Sequence, residues 1–458
     1  MSADGRKIII KEAAILIVFQ LLVASFSFGT IAQGGPEVPA ASESGWPMFG
    51  GCAERGSFSP SNVEVKKNLA WTAHLCEDAG SSPAVAKGTV FLGHGHQVVA
   101  LDALDGDTVW SFAVPAASVH NDPLIYKNRV YFGTHYVTNA GPAYFYALDM
   151  GTGRVAWRTP LARSSGISPL AVDGVIYTTT DKEGIYALNS SDGRILWTAP
   201  QQVGTGSSMA YHDGILFGSG NSTLFALDAS NRKVIWSKHL SMQSSSSVVY
   251  SDGKVLIHGS AQKLGFVAAY NEFNGSMVWT KEFREDNSDS VLCTPAVFSG
   301  MVYVGTQDTD RFFCLNLSDG STMWDIGLDG QVISTPAVSA RGIVYVAIKG
   351  LYAIDARTGE IRWYIDFGIP PLELSTGVTY NAPLALANGM VFISSGKHTF
   401  AIGGSPSLLI PILIGIGVFL VTIVAIFVVL RKRKRSTDGN LPPSGKDSEA
   451  ALDMGWNT

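Results

Sequence analysis

The chain has 458 residues, 49 of them glycine and ten tryptophan, with 46% hydrophobic residues, 16% charged residues and a formal net charge of −5. Abundant aromatics with so little charge exclude a disordered chain, and the central region lacks the clustered Lys and Arg that nucleic-acid binding needs. A length that holds two or three average domains is also one that an all-β fold fills as a single unit.

The first predicted element is apolar. Arg6, Lys7 and Lys11 precede a run from Ala13 to about Ala32, which ends in small and polar residues before Gln33. Residues 1–32 read as a secretory signal cut after Ala32 or as an uncleaved N-terminal anchor; either one exports the chain beyond it. Residues 33–45 form a linker. The stretch 46–404 is then governed by a repeat, marked by Trp71, Trp110, Trp157, Trp197, Trp236, Trp279, Trp324 and Trp363 at separations of 39, 47, 40, 39, 43, 45 and 39 residues. A period near 40 residues signals a propeller or a solenoid.

A second motif stands before each of these tryptophans except the first, as in Ala100-Leu-Asp102, Gly106, Trp110 and in Ala353-Ile-Asp355, Gly359, Trp363. The copy at Ala226 departs from it, with Arg232 in place of Gly. Upstream lie alternating runs such as Gly300-Met-Val-Tyr-Val-Gly305, and before those a short Pro-Ala-Val, as at Pro83, Pro295 and Pro336. Period-2 alternation between turn residues predicts four short strands per unit. The Asx and Gly suit the turn between the third and fourth strands, and the Trp supplies an apolar plate between blades. The last repeat, from Asn381 to Ile402, has no Trp strand, whereas Leu69 to Leu75 is a lone one. Pairing the two closes an eight-bladed, all-β propeller of four-stranded blades and removes two open sheet edges.

Leu408 to Leu430 is 23 residues without a charge, which as a helix spans about 34 Å against about 30 Å of bilayer hydrocarbon. The expectation is a single transmembrane helix over 408–430. The basic run from Arg431 to Arg435 comes next, so 431–458 is a cytoplasmic tail and the propeller is extracytoplasmic at a cell membrane. Four cysteines in an exported region can form disulfides, with Cys52 and Cys76 as the candidate pair. Cys314 stands where other repeats have Ala and reads as a packed thiol. Sequons at Asn189, Asn221, Asn274 and Asn316 fall in or beside predicted turns.

The repeat, together with Trp46-Pro-Met-Phe49, Arg55 and Ser59-Pro60, resembles the pyrroloquinoline-quinone-type propeller family, shared by quinoprotein dehydrogenases and the non-enzymatic BamB-like lipoproteins of outer-membrane assembly. WD-type repeats fit less well, because only Trp324-Asp325 carries their dipeptide. The resemblance implies a binding or scaffold protein with a protein, peptide or glycan ligand on one face of the ring and no cofactor. The alternatives are a quinone- and calcium-dependent dehydrogenase of alcohols or sugars, and a structural envelope component. Quinoprotein alcohol dehydrogenases of this fold carry adjacent cysteines, which this chain lacks, and no haem-attachment motif is present.

The residues leading into each inner strand, Ser81, Asn121, Asp122, Ser207, Ser245, Ser334 and Asn381, are the candidate lining of the axial channel, either as a ligand ring or as small residues where strands converge. His94, His96, His120, His135 and His398 fall on one face of three consecutive blades. They form a candidate metal cluster, with imidazole as the usual zinc ligand and Asp122 as an oxygen donor. The acidic stretch from Glu285 to Asp289 and the insertion from Tyr364 to Tyr380 are candidate cation and partner loops, respectively.

Overall fold

The computed structural model describes residues 45–404 apart from 76–80, 115–116, 120, 136–142, 162–167, 181–182, 205–206, 221, 241–246, 262–263, 284–290, 292 and 368–383. The two apolar segments and the acidic stretch lie outside the described residues, as does most of the 364–380 insertion. Among the described residues every regular element is a strand. Two early strands, β1 (Phe58–Ser59) and β2 (Leu69–His74), precede the first complete blade. That blade is an antiparallel meander of a short inner β3 (Ala84–Ala86), two middle strands β4 (Thr89–His94) and β5 (Gln97–Asp102), and an outer β6 (Thr108–Ala113). The same order recurs over 124–161, 170–199, 210–239, 249–283, 296–327 and 337–366, which are blades two to seven.

Blade eight has three strands of its own over 385–403, and β2 supplies the outer one, with Leu69 opposite Ile402 and His74 opposite His398. The ring thus closes by the lone Trp strand, as the missing fourth strand requires, and it has eight blades. Closure leaves neither a first nor a last sheet with an exposed face.

The repeat residues build the seams between blades. The indole of Trp157 lies on Gly193 of the next blade, where a Cβ would meet its ring at 2.4 Å. Trp71, Trp110, Trp236, Trp279 and Trp324 sit in the same way on Gly106, Gly153, Gly275, Gly320 and Gly359. Each of these indoles also donates its Nε1–H to a carbonyl in that turn, as Trp71 does to Ala103 at 3.0 Å and Trp279 to Leu317 at 2.9 Å. A buried indole N–H needs such an acceptor. The glycine holds a positive φ, +75° at Gly193, which an L side chain resists. Arg232, the exception, takes φ 65° all the same. The Asx residue closes the turn: Asp102 Oδ1 accepts from Leu104 N–H at 2.7 Å while Gly106 N–H bonds the Asp102 carbonyl at 2.9 Å.

The outer-strand turns lie on the same face as the turns leaving the inner strands. Ala103 N–H bonds Gly88 O, Ala229 N–H bonds Gly214 O and Leu317 N–H bonds Gly300 O, each at 2.9 Å. This is the turn face. The loops that join the two middle strands, and those leading into the inner strands, lie on the opposite loop face.

Candidate functional site

Eight inner strands turn their free edges to the axis, and a single-copy segment fills that space. Trp46 exchanges both backbone hydrogen bonds with Val85 of blade one, at 2.8 and 2.7 Å. The Pro47 carbonyl then accepts from Ile125 of blade two at 2.7 Å, Ala53 from Tyr211 of blade four at 2.9 Å, and Glu54 from Tyr250 of blade five at 2.9 Å. Gly56 accepts from Val297 of blade six at 2.9 Å, and Ser57 and Ser59 accept from Val338 and Ala340 of blade seven at 2.8 and 2.9 Å. Here β1 runs parallel to the inner strand, Phe58 beside Val338. The segment therefore winds once around the axis in blade order, satisfying inner-strand N–H groups that would otherwise be buried unpaired. Left-handed residues at Gly50, Gly51, Arg55 and Ser57 let it wind so tightly.

The side chain of Arg55 serves blade three. Its Nη2 donates to Ser168 O at 3.0 Å and Pro169 O at 2.9 Å, Nε to Met209 O of blade four at 3.0 Å, and Nη1 to Phe49 O at 2.6 Å. The Phe49 ring lies 5.7 Å from the guanidinium carbon. Arg55 is fully buried, and burial pulls its pKa down to about 10, against the opposing pull of Asp122, so it stays charged at neutral pH. Asp122 accepts from the Ser82 backbone N–H and from the Ser168 hydroxyl. Burial pushes its carboxyl above the usual range, while those hydrogen bonds and Arg55 pull the other way. A buried charge needs such partners.

The other candidate axial residues are tied into the blades. Ser81 Oγ accepts from Gly93 N–H at 2.7 Å and donates to Gly93 O at 3.2 Å. Ser334 does the same with Ala347, at 3.2 and 2.7 Å, and Cys293 Sγ with Gly305, at 3.2 and 3.5 Å. Each of these side chains pins the start of the inner strand to the second strand of its own blade. One position on, the side chains link neighbours instead, Ser208 N–H donating to Ser247 Oγ at 3.1 Å. Asn121 and Ser207 are buried at the same level. Ser245 and Asn381 lie outside the described residues.

The histidines are spread along the loop face. His94 is buried at the end of β4, His96 Nδ1 is 2.7 Å from Ala117 O, and the backbone of His135 pairs with Ser118. His398 meets His74 edge to face at 4.8 Å, a neighbour that the closing strand brings into register. His120 lies outside the described residues. Among the described residues, no three His, Cys, Asp or Glu side chains gather to hold a metal ion. Sequence reasoning named Arg55 only as part of the lead-in that carries the family resemblance and missed its structural weight; its residue-level signal is a lone cation in a Gly- and Ser-rich segment.

The resemblance to quinoprotein alcohol dehydrogenases implies calcium-binding carboxylates and adjacent cysteines beside the quinone; among the described residues no three His, Cys, Asp or Glu side chains gather for a cation, and the chain has no Cys-Cys pair. Cys52, Cys293 and Cys314 are free, and burial pushes their thiols up to about 11, 11 and 12. Such thiols are poor nucleophiles. Cys314 is packed in the core, as its Ala-like position implies. Cys76, named as the partner of Cys52, lies outside the described residues.

The family profile described as outer membrane protein assembly factor BamB matches residues 64–141, 132–264 and 263–399. BamB of Yersinia pestis is 28% identical over 123 residues, 25% of this chain and 31% of the relative, so the chain matches only about a third of that protein's length. Among solved structures, the quinohemoprotein alcohol dehydrogenase of Comamonas testosteroni superposes with a TM-score of 0.60 at 14% identity, covering 81% of this chain and 82% of its own. The computationally designed protein Ika8 superposes with a TM-score of 0.58 at 14% identity, covering 74% of this chain and all of its own. An enzyme and a designed chain at equal distance carry the fold alone; chemistry must be argued from the site.

Proposed function

The chain belongs to the BamB family of pyrroloquinoline-quinone-type propellers, and from that premise we propose that it is a non-catalytic binding or scaffold protein, held outside the cytoplasm by one transmembrane helix over 408–430. The observation that carries this reading is the axis. Its buried cation, Arg55, spends its donors on four carbonyls of the fold, and Asp122 is held by Ser82 and Ser168. Groups so committed hold the ring together, and ligand binding falls to the loop face, where a rigid scaffold displays variable segments. The relatives are named for assembling outer membrane proteins, which supports a protein as the partner. The basic residues after 430 and before 13 support an extracytoplasmic propeller with a cytoplasmic tail.

The test is affinity purification of the full chain from its own membranes after crosslinking. One protein should co-purify at fixed stoichiometry, and charge reversal of Lys397 and Asp308 on the loop face should release it, whereas reversal of Arg154 and Arg194 on the turn face should not. Dye reduction with alcohols or sugars after reconstitution with quinone and calcium would overturn the reading in favour of a dehydrogenase. Protease added outside intact cells should digest the propeller and spare an epitope after Arg435; protection of both would reverse the topology.

A further inference from the structure

The turn face carries exposed apolar side chains. Among the described residues the strongly exposed large apolar side chains are Val63, beside the turn at Gly389, and residues of the outer-strand turns or the first two positions of the outer strands. Scattered exposed apolar residues are ordinary, but adjacent exposed pairs repeated on neighbouring blades are not. A bulge at the start of each outer strand explains how two adjacent side chains project together. In blade four Trp236 pairs with Ala226 and Val234 with Leu227, leaving Ile235 as the extra residue. Blades three, four and five carry this pair in full, as Ile195 with Leu196, Val234 with Ile235, and Met277 with Val278. Phe273, in the turn of blade five, is 73% exposed.

The chain leaves the ring on this same face. Gly403 bonds Asn68 O at 2.9 Å and lies against the turn at Gly389. Residues 404–407, at most about 14 Å of chain, then separate blade eight from the apolar run that begins at Leu408. In a ring of eight, blade four stands opposite blade eight. We propose that the turn face lies flat on the outer surface of the bilayer, tethered at blade eight by the transmembrane helix and seated at blades three to five by apolar side chains that enter the headgroup layer. This rests on the transmembrane reading of 408–430. The face carries both charge signs, Arg194, Arg232 and Lys233 against Asp213 and Asp252, all exposed. The contact is therefore apolar, not electrostatic, at a depth of about 5–10 Å, and the loop face is turned outward toward a partner.

The experiment uses the full chain with Cys52 and Cys76 changed to Ser, reconstituted in neutral phosphatidylcholine vesicles. An environment-sensitive fluorophore is placed in turn at Phe273→Cys, Val234→Cys and, as the loop-face control, Asp308→Cys, with melting of each variant checked against the parent chain. Flotation with the vesicles, resistant to carbonate, reads the anchor separately. The inference expects flotation, with the fluorophores at 273 and 234 quenched roughly by half by lipids bearing a shallow nitroxide and the one at 308 unchanged. Flotation with all three unquenched overturns the seated face and leaves the anchor standing. Loss of flotation removes the anchor and the inference with it. A glycan on Asn274 in protein from its own membranes also overturns the inference, because it would hold Phe273 out of lipid.

Discussion

At the seams between blades one indole and one glycine recur around the ring, whereas at the axis a single segment is used once and touches blade after blade. Both cover sheet surface that water would otherwise reach, but they distribute the load differently. A seam is local: Trp157 on Gly193 joins two blades and no others. The axial segment reaches blades one, two, four, five, six and seven through its backbone and blade three through Arg55. Repetition tolerates a damaged copy, as Arg232 in a glycine position shows. A hub does not.

The sharpest way to break this comparison is to open the ring itself. Deleting Leu69–His74 exposes the edge of the strand at His398–Gly403, and the expected result is aggregation or loss of a single cooperative thermal transition. A soluble variant that melts like the parent would mean that closure contributes little. Next in size is Arg55→Met, which leaves four carbonyls without donors and Asp122 without its counter-charge. A loss of about 3–5 kcal/mol is expected in denaturant titrations, against a smaller loss at any one seam; the reverse order would refute the hub.

The third comparison is with pH. His258, buried in blade five, has its pKa lowered by burial from 6.5 to about 4, against the opposing hydrogen bond to Val291 O. The unfolded chain takes up this proton near pH 6.5 and the folded chain resists it to about pH 4, so stability is full above the first value and is lost as pH falls to the second. The loss is at most about 3 kcal/mol, and His258→Asn should remove it from the acid limb of a pH series. Asp122 at the axis runs the other way. Its folded pKa is raised above 3.8, so its contribution is fully present below 3.8 and is lost as pH rises from there. Asp122→Asn should therefore gain on the parent across that rise, and a parallel pH course for the two would mean that the folded carboxyl is not raised above its unfolded value.

The smallest effect tests a seam against an open turn. Gly193 and Gly300 share a φ near +75°, but a Cβ at Gly193 meets Trp157 at 2.4 Å, whereas one at Gly300 meets nothing within 4 Å. Gly300→Ala should cost about 1 kcal/mol for the backbone alone, and Gly193→Ala about 1–2 kcal/mol more, read as a larger drop in Tm. Equal losses would show that the indole gives way freely.

What the sequence determined by itself was the ring: the strands, the blade count and the donor of the closing strand. Their basis is side-chain alternation, turn chemistry and one missing Trp, all of them local patterns repeated often enough to outweigh a variant such as Arg232. Only the tertiary structure decided what occupies the axis and which residues meet there. Trp46, Arg55 and Asp122 carry no periodicity, and Arg55 reaches Ser168 across 113 positions of chain. Tertiary structure likewise turned Ser81 and Ser334 inward to their own blades and brought His74 against His398. Contacts between single-copy residues distant along the chain depend on how the ring closes, and closure is a property of all eight blades together.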